Sequence, residues 1–163
     1  MRITMNPYDE ASIQAAMDEL TRYKKWVLEK ETLLRQRLAM IGASVASIAF
    51  RRAIYNGTND VSVRVDDTGS VAVIYAEGEA VLFIEFGSGV RYGYGHPEAE
   101  KHGYGPGTYS GGPEGKGHWD APKGWWYGSS QHTYGNPPAK AMLHARDAIV
   151  EQLTRIAREV FRT

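Results

Sequence analysis

Residues 61–86 read VSVRVDDTGSVAVIYAEGEAVLFIEF, and this stretch decides the fold class. Valine alternates with polar residues over 61–65, which is typical of a half-buried strand. The acidic and glycine-containing segment 66–69 predicts a turn. Two apolar runs of strand length follow at 70–76 and 80–86, joined by a short polar link. Three strands with short connections predict an antiparallel meander.

Helices are predicted on both sides of this sheet. A helix begins near Asn6-Pro7, after a short opening strand at residues 2–5, and runs to about Tyr55. Its apolar residues recur at spacings of three, four and seven: Met17, Leu20, Val27, Leu34, Leu38, Ile41, Val45 and Ile48. The last helix follows Asn136-Pro137-Pro138 and carries the stripe Met142, Ala145, Ile149, Leu153, Ile156 and Val160. We therefore predict a single α+β domain over 1–163.

The predicted first helix is too long for a domain of this size to cover. A helix of about 45 residues spans about 70 Å at 1.5 Å per residue. A compact chain of this length has a radius of gyration of about 15 Å. Either the helix breaks near Gly42 and Ser44, or it projects and packs on a neighbouring subunit. Its stripe is interrupted at Lys24 and Glu31, so the first half should be held more loosely.

Residues 87–136 form a long predicted loop, inserted between the last strand and the last helix. It holds 14 of the 18 glycines, six of the ten tyrosines and three of the four tryptophans. Such aromatics can stack on sugars, stack on single-stranded nucleic acid, bind proteins or pack on their own domain. Because a loop this long is uncommon unless it is functional, we favour protein contact. The predicted contact residues are Tyr92, Tyr94, Trp119, Trp125, Trp126, Tyr127 and Tyr134.

The composition argues against several classes of function. The 19 basic and 19 acidic residues balance, so bulk charge indicates neither nucleic acid nor an anionic membrane as the partner. No cysteine is present, which excludes disulfides and thiolate metal sites. The histidines are scattered without metal-ligand spacing, and neither a nucleophile elbow nor a phosphate-binding loop is found. We predict no catalytic residue, metal or cofactor, no signal peptide and no membrane span, hence a soluble cytoplasmic protein.

Several stretches resemble the tail-completion, or head–tail joining, proteins of long-tailed phages and prophages, nearly from end to end. They are NGTNDVSVRV, GEAVLFIEFGSGV, HPEAEKHGYGPGTY, HTYGNPPAKAM and IAREVF, in that order. The most specific pieces are the strand end and the start of the last helix, which comprise Glu85, Phe86, Gly87 and Gly89, and Gly135, Asn136, Pro137 and Pro138. Many relatives carry Pro-x-Asp-Thr-Gly-x-Leu-Arg where this chain has YNGTND at 55–60, so it looks like a divergent branch.

The resemblance implies a non-enzymatic virion protein that forms a ring, usually a hexamer, in the phage neck. Its partners would be further copies of the chain and other neck and tail proteins, namely the head connector and the tail terminator or tube. It would act in the host cytoplasm during assembly and then in the virion. Gly89 would need a positive φ where the loop leaves the strand. The alternative to this function is a carbohydrate-binding module that uses the aromatic loop.

Overall fold

The computed structural model describes residues 3–92, 95–99, 101, 123–127 and 131–162. They form an α+β domain, as predicted, in which a long N-terminal helix, a two-stranded antiparallel sheet and a C-terminal helix pack together. The elements are α1 (Glu10–Arg52), β1 (Ser62–Asp66), β2 (Val73–Glu77), α2 (Val81–Phe86), a 3₁₀ turn (Val90–Tyr92), β3 (Trp125–Tyr127), β4 (Gln131–Thr133) and α3 (Ala141–Arg162).

α1 is one continuous helix, so of the two alternatives predicted for it the break near Gly42 and Ser44 does not occur. Gly42 instead lets two neighbours approach closely, because a Cβ there would lie 2.6 Å from side-chain atoms of both Ile74 and Ile149. The helix also begins later than predicted. Asn6 closes a turn of its own by accepting from the amide of Tyr8, and Asp9 caps the helix by accepting from that of Ala11.

α3 packs antiparallel to α1 and is much shorter. Ile149 lies against Gly42, Arg37 pairs with Glu159 at 3.8 Å, and the rings of Trp26 and Phe161 meet edge to face at 5.8 Å. Since Phe161 is next to the last residue of α3, residues 10–25 of α1 extend past its end. The 43 residues of α1 span about 65 Å and the 22 residues of α3 about 33 Å.

The first two predicted strands are confirmed as a hairpin that packs on the second half of α1. Val63 pairs with Ala76 and Val65 with Ile74 in an antiparallel register. The core lies where this hairpin, α2 and the start of α3 meet the end of α1. It consists of Ala46, Phe50, Ala80, Ile84, Ala141 and Ala145.

The prediction of a third strand is wrong, because residues 81–86 form the short helix α2. Gly78, at φ +140°, turns the chain out of β2, and the carboxylate of Asp60 then accepts from the amides of Glu79 (2.7 Å) and Ala80 (3.0 Å). These bonds satisfy donors at the helix start. Ala80 and Ile84, one turn apart, are both buried in the core. An apolar run of this length is compatible with a strand or with a short helix. The cap supplied by Asp60 favours the helix here.

Two smaller expectations also fail. Residues 3–5 have no regular structure, so the predicted opening strand is absent from the part of it that is described. Conversely, the predicted loop 87–136 contains a 3₁₀ turn and the two short strands β3 and β4, which pair antiparallel. Three-residue strands are too short for an alternating pattern to be recognised in the sequence.

Contrary to the expectation from the sequence, α1 is long and apolar enough to cross a membrane when judged by length and composition alone. This is weak evidence, since a helix in the core of a globular protein passes the same test. Ala39, Gly42, Ala46 and Phe50 in the second half of α1 are buried, but only 28% of the apolar stretch is.

The Asp60 cap predicts a specific pH dependence. The amides of Ala80 and Glu79 hold the pKa of Asp60 below its ordinary value of 3.8. The carboxylate therefore stabilises the fold above that value, and its contribution is lost as the pH falls through the lowered folded pKa. We expect Asp60→Asn to be less stable than wild type near neutral pH, with a difference that shrinks on acidification.

Urea unfolding of both proteins over a series between about pH 6 and pH 2 measures this difference. Asp67→Asn, an exposed carboxylate on the same hairpin, is the control. A difference for Asp60→Asn that stays constant over the whole series would show that the cap does not depend on its charge.

Candidate functional site

The two motif pieces singled out in the sequence come together in space. Ser88 and Asn136 form an isolated antiparallel bridge, in which each amide donates to the other's carbonyl at 3.0 Å. Their side chains also bond, with the Ser88 hydroxyl 2.5 Å from Asn136 Oδ1, and both residues are buried. The Asn136 amide group donates to the carbonyl of Phe83 at 2.9 Å. We call this junction of residues 85–89 with 135–139 the clasp.

Glycine is required on both sides of the clasp. Gly135 has φ +90°, and a Cβ there would lie 1.9 Å from the carbonyl oxygen of Ser88. Gly87 has φ +80°, and a Cβ would lie 2.8 Å from the nitrogen of Pro138. The predicted positive φ of Gly89 is confirmed at +81°. The clasp therefore depends on backbone conformations that other residues rarely adopt.

Glu85 supplies the N-terminal cap that α3 lacks in its own sequence. Lys140 precedes the helix with φ +53°, and its side chain has no acceptor to offer. The carboxylate of Glu85 accepts from the amide of Met142 at 3.0 and 3.2 Å and from that of Leu143 at 3.4 Å. Negative charge at a helix N-terminus is favourable, so this buried carboxylate joins α2 to α3.

His96 is buried beside Glu85 and fixes the start of the long loop. Its Nε2 lies 3.2 Å from Glu85 Oε1, and its Nδ1 accepts from the amide of Glu98 at 3.1 Å. Because Nδ1 is an acceptor, the hydrogen bonds assign the ring proton to Nε2. In this arrangement Nε2–H donates a hydrogen bond to the Glu85 carboxylate. The ring of Phe86 packs at 4.5 Å from the imidazole.

A second contact fastens the same segment to α3. Glu98 is paired with Arg146 in a close ion pair, and the Arg146 guanidinium lowers the pKa of the Glu98 carboxyl. Glu98 and His96 therefore hold residues 95–99 against α2 and α3.

An open groove of about 420 Å³ lies above Glu85 and His96. Its walls are mainly apolar side chains of β2, α2 and α3, and we call it the α2–α3 groove. The lining residues are Ala76, Val81, Leu82, Glu85, Phe86, His96, Glu98, Met142 and Leu143. No described lysine or arginine pairs with Glu85, so the buried carboxylate that borders this groove has His96 as its only described side-chain partner.

The β3–β4 hairpin carries a row of exposed rings. Trp126 and His132 are register partners across the hairpin, and their rings meet edge to face at 5.2 Å. His132 and Tyr134 meet in the same way at 4.9 Å, and the guanidinium of Arg91 lies 4.6 Å from the centre of the Tyr134 ring. We call these four residues the aromatic ladder. Trp126 is 63% exposed, so the ladder presents a ring surface to solvent.

The structure brings two predicted contact residues, Trp126 and Tyr134, into the ladder. Tyr92 is exposed at the end of the 3₁₀ turn, next to Arg91 in sequence. Trp125 and Tyr127 lie in β3 with side chains outside the described part of the chain, and the predictions for Tyr94 and Trp119 fall outside the described residues.

Sequence reasoning missed Arg91 and His132 as members of this surface. The spacing of His132 and Tyr134 by two was the available signal for a shared strand face.

The apolar face that α1 buries in its second half continues, exposed, along its first half. Met17, Leu28, Ala39 and Phe50 follow one another at intervals of 11 residues, which is close to three helical turns, so they lie on one side of α1. Ala39 and Phe50 are 5% and 1% exposed, whereas Met17 and Leu28 are 56% and 52% exposed. Leu20 is adjacent and 53% exposed. We call Met17, Leu20 and Leu28 the uncovered α1 face.

Comparison of the chain with family models, with curated proteins and with solved structures found no match. Within the described ranges, no group of three or more histidine, aspartate or glutamate side chains is arranged to hold a metal ion. The function proposed below therefore rests on the geometry of these surfaces and on the resemblance stated above.

Proposed function

We propose that this chain is a structural virion protein of the phage neck, a tail-completion or head–tail joining subunit that assembles into a ring. The observation that carries the proposal is the uncovered α1 face, since a core-type helix surface is left exposed in the single chain. The resemblance supplies the biological setting: assembly in the host cytoplasm, incorporation into the virion and no enzymatic activity.

Self-association through the uncovered α1 face has a physical driving force. Fully burying a leucine or methionine side chain stabilises by about 1.5–3 kcal/mol relative to exposure. Three side chains that are each about half exposed would therefore contribute roughly 2–4 kcal/mol per subunit. That is modest for one contact, but a closed ring repeats it in every subunit, and the last subunit binds through two interfaces. A hexamer is the expected size.

The aromatic ladder suits contact with a neighbouring neck or tail protein. Trp, Tyr and Arg are enriched where proteins meet, because they provide large contact area and hydrogen bonds at low cost in side-chain entropy. The clasp fixes the ladder's position, since Gly135 follows Tyr134 directly. The Asn56 amide group also donates to the hydroxyl of Thr133 at 2.9 Å, which attaches β4 to the end of α1.

Native mass spectrometry over a range of concentrations tests the proposal. We expect the wild-type chain to form a closed oligomer, and the double variant Met17→Glu, Leu20→Glu to raise the dissociation constant at least about tenfold, because two charges would have to be desolvated. Met40→Glu with Ile48→Glu is the matched control, since these exposed residues lie on another side of the same helix. It should leave assembly unchanged.

Two results would contradict the proposal. Equal weakening by both double variants would show that the uncovered α1 face has no special part in assembly. A wild-type chain that stays monomeric at every concentration, and that binds a glycan in a screen, would favour the carbohydrate-binding module instead.

A further inference from the structure

Two apolar surfaces of the described residues, the uncovered α1 face and the α2–α3 groove, lie towards opposite ends of α1. The uncovered α1 face lies in the first half of that helix, with Met17 and Leu20 beyond the end of α3 and Leu28 just inside it. The α2–α3 groove is at the other end, where α3 begins beside the last turns of α1. If two copies met through the α1 face alone, in a self-complementary contact, the groove would remain open. A head-to-tail contact buries both surfaces in a single interface.

The two surfaces are also complementary in charge. Glu85 is buried at the base of the groove, and within the described ranges its Oε2 accepts one hydrogen bond, from the amide of Met142. A carboxylate has about four acceptor positions, so Oε2 can take a further donor. Buried charges are normally paired, and among the described residues Glu85 has His96 but no lysine or arginine as a partner. The groove therefore favours a positively charged group on an apolar stem.

The uncovered α1 face contains such a group. Lys24 lies four residues after Leu20 and four before Leu28, so all three side chains share one side of the helix. It is exposed and has no ion-pair partner in the part of the chain that the structure describes. In the single chain this lysine interrupts the apolar stripe. Opposite an apolar groove with a carboxylate at its base, the same interruption becomes a complementary feature.

We propose that the first half of α1 from one copy lies in the α2–α3 groove of the next, with the ammonium group of Lys24 directed at Glu85. This inference rests on the self-association put forward above and specifies its mode. The aliphatic stem of Lys24 packs along Leu82 and Phe86 while its charge reaches the carboxylate. Because each copy offers one helix end and one groove, head-to-tail repetition of the contact generates a closed ring or a filament, whereas a reciprocal pair about a two-fold axis would stop at a dimer.

The chain has no cysteine, so engineered thiol pairs report this contact directly. Leu82 lines the groove and is 39% exposed, which makes it accessible. We expect the double variant Lys24→Cys, Leu82→Cys to give a series of disulfide-linked multimers of increasing size on mild oxidation. A mixture of the two single variants should give dimers only, because each copy then carries one thiol. Each single variant alone, and Ala15→Cys with Leu82→Cys, are controls, since Ala15 lies on the opposite side of α1.

A charge variant provides the second measurement. Lys24→Glu should raise the dissociation constant at least about tenfold, because two carboxylates would then meet at the groove. Arg22→Glu makes the same change in net charge on the other side of the helix and should have little effect.

Oligomers seen by native mass spectrometry without a Lys24→Cys, Leu82→Cys cross-link would overturn this interface and leave the proposed function standing. Equal cross-linking of the Ala15→Cys control would overturn it as well. A wild-type chain that never associates would remove both the interface and the self-association on which it rests.

Discussion

Replacement of Gly135 with alanine is expected to lower the free energy of unfolding by about 3–5 kcal/mol, a large share of the stability of a domain of this size. A Cβ at this position would lie 1.9 Å from the carbonyl oxygen of Ser88 and 2.5 Å from its carbonyl carbon. Both neighbours are backbone atoms, so no side-chain rotation relieves the clash. The φ of +90° adds strain of its own for any residue with a side chain.

Relief of the clash requires Ser88 and Asn136 to separate. That movement would break the two backbone hydrogen bonds of the bridge and leave the buried Ser88 and Asn136 side chains without each other. Unsatisfied buried polar groups cost about 1–3 kcal/mol each, which places the total in the range given. Equilibrium unfolding in urea, followed by circular dichroism, measures the change.

Gly69→Ala is the matched control. Gly69 sits in the β1–β2 turn without a positive φ, and the nearest atoms to an added Cβ are 3.9 and 4.0 Å away. We expect a change within about 0.5 kcal/mol there. If Gly135→Ala were as mild as the control, the close approach at the clasp would not exist in solution.

Much of the fold could be predicted from local patterns. The stripe of α1, the alternation in β1 and the wide apolar face of α3 each have a period that only one element satisfies. Residues 80–86 have no such period. Their helix is set by the carboxylate of Asp60, about 20 residues earlier, and by the turn at Gly78. The periodicity of a local stretch of sequence gives no information about a contact at that distance along the chain.

Local sequence patterns likewise predicted one part of the candidate site and missed another. The length of α1 predicted either a break or a projecting end, and the packing of Gly42 between Ile74 and Ile149 excludes the break. By contrast, the clasp joins Ser88 to Asn136 across 48 residues, and nothing in the local sequence pairs them. The resemblance marked both ends of the clasp as specific, but it did not indicate that they touch.

The position of Lys140 explains why a distant carboxylate is needed at α3. The residue before a helix normally offers a side-chain acceptor to the amides of the first turn. Lys140 cannot, and its positive charge is unfavourable at the positive end of the helix dipole. Glu85 satisfies those amides from α2, and the same carboxylate accepts from His96. One residue of α2 therefore fixes the positions of α3 and of the start of the long loop relative to α2.

Replacement of Glu85 with alanine is accordingly expected to lower the free energy of unfolding by about 2–4 kcal/mol. The amides of Met142 and Leu143 would lose their acceptor, which corresponds to the loss of a helix cap, at about 1 kcal/mol. The Nε2 hydrogen of His96 would be left buried and unpaired, at about 1–3 kcal/mol. The stability of Glu85→Gln should lie between that of wild type and that of Glu85→Ala, because its amide oxygen still accepts a hydrogen bond while the charge is lost.

Glu77→Ala provides the comparison for the loss of a carboxylate as such. Glu77 pairs with Arg64 at 2.8 Å, but both side chains are 51% exposed, and exposed ion pairs contribute at most about 1 kcal/mol. Urea unfolding of the three variants and wild type gives the ranking. A Glu85→Ala protein as stable as Glu77→Ala would mean that α3 does not depend on this cap. The ranking Glu85→Ala, then Glu85→Gln, then Glu77→Ala, from least to most stable, would instead show that the carboxylate at the base of the groove has a structural role of its own, separate from the contact proposed with a lysine of a neighbouring copy.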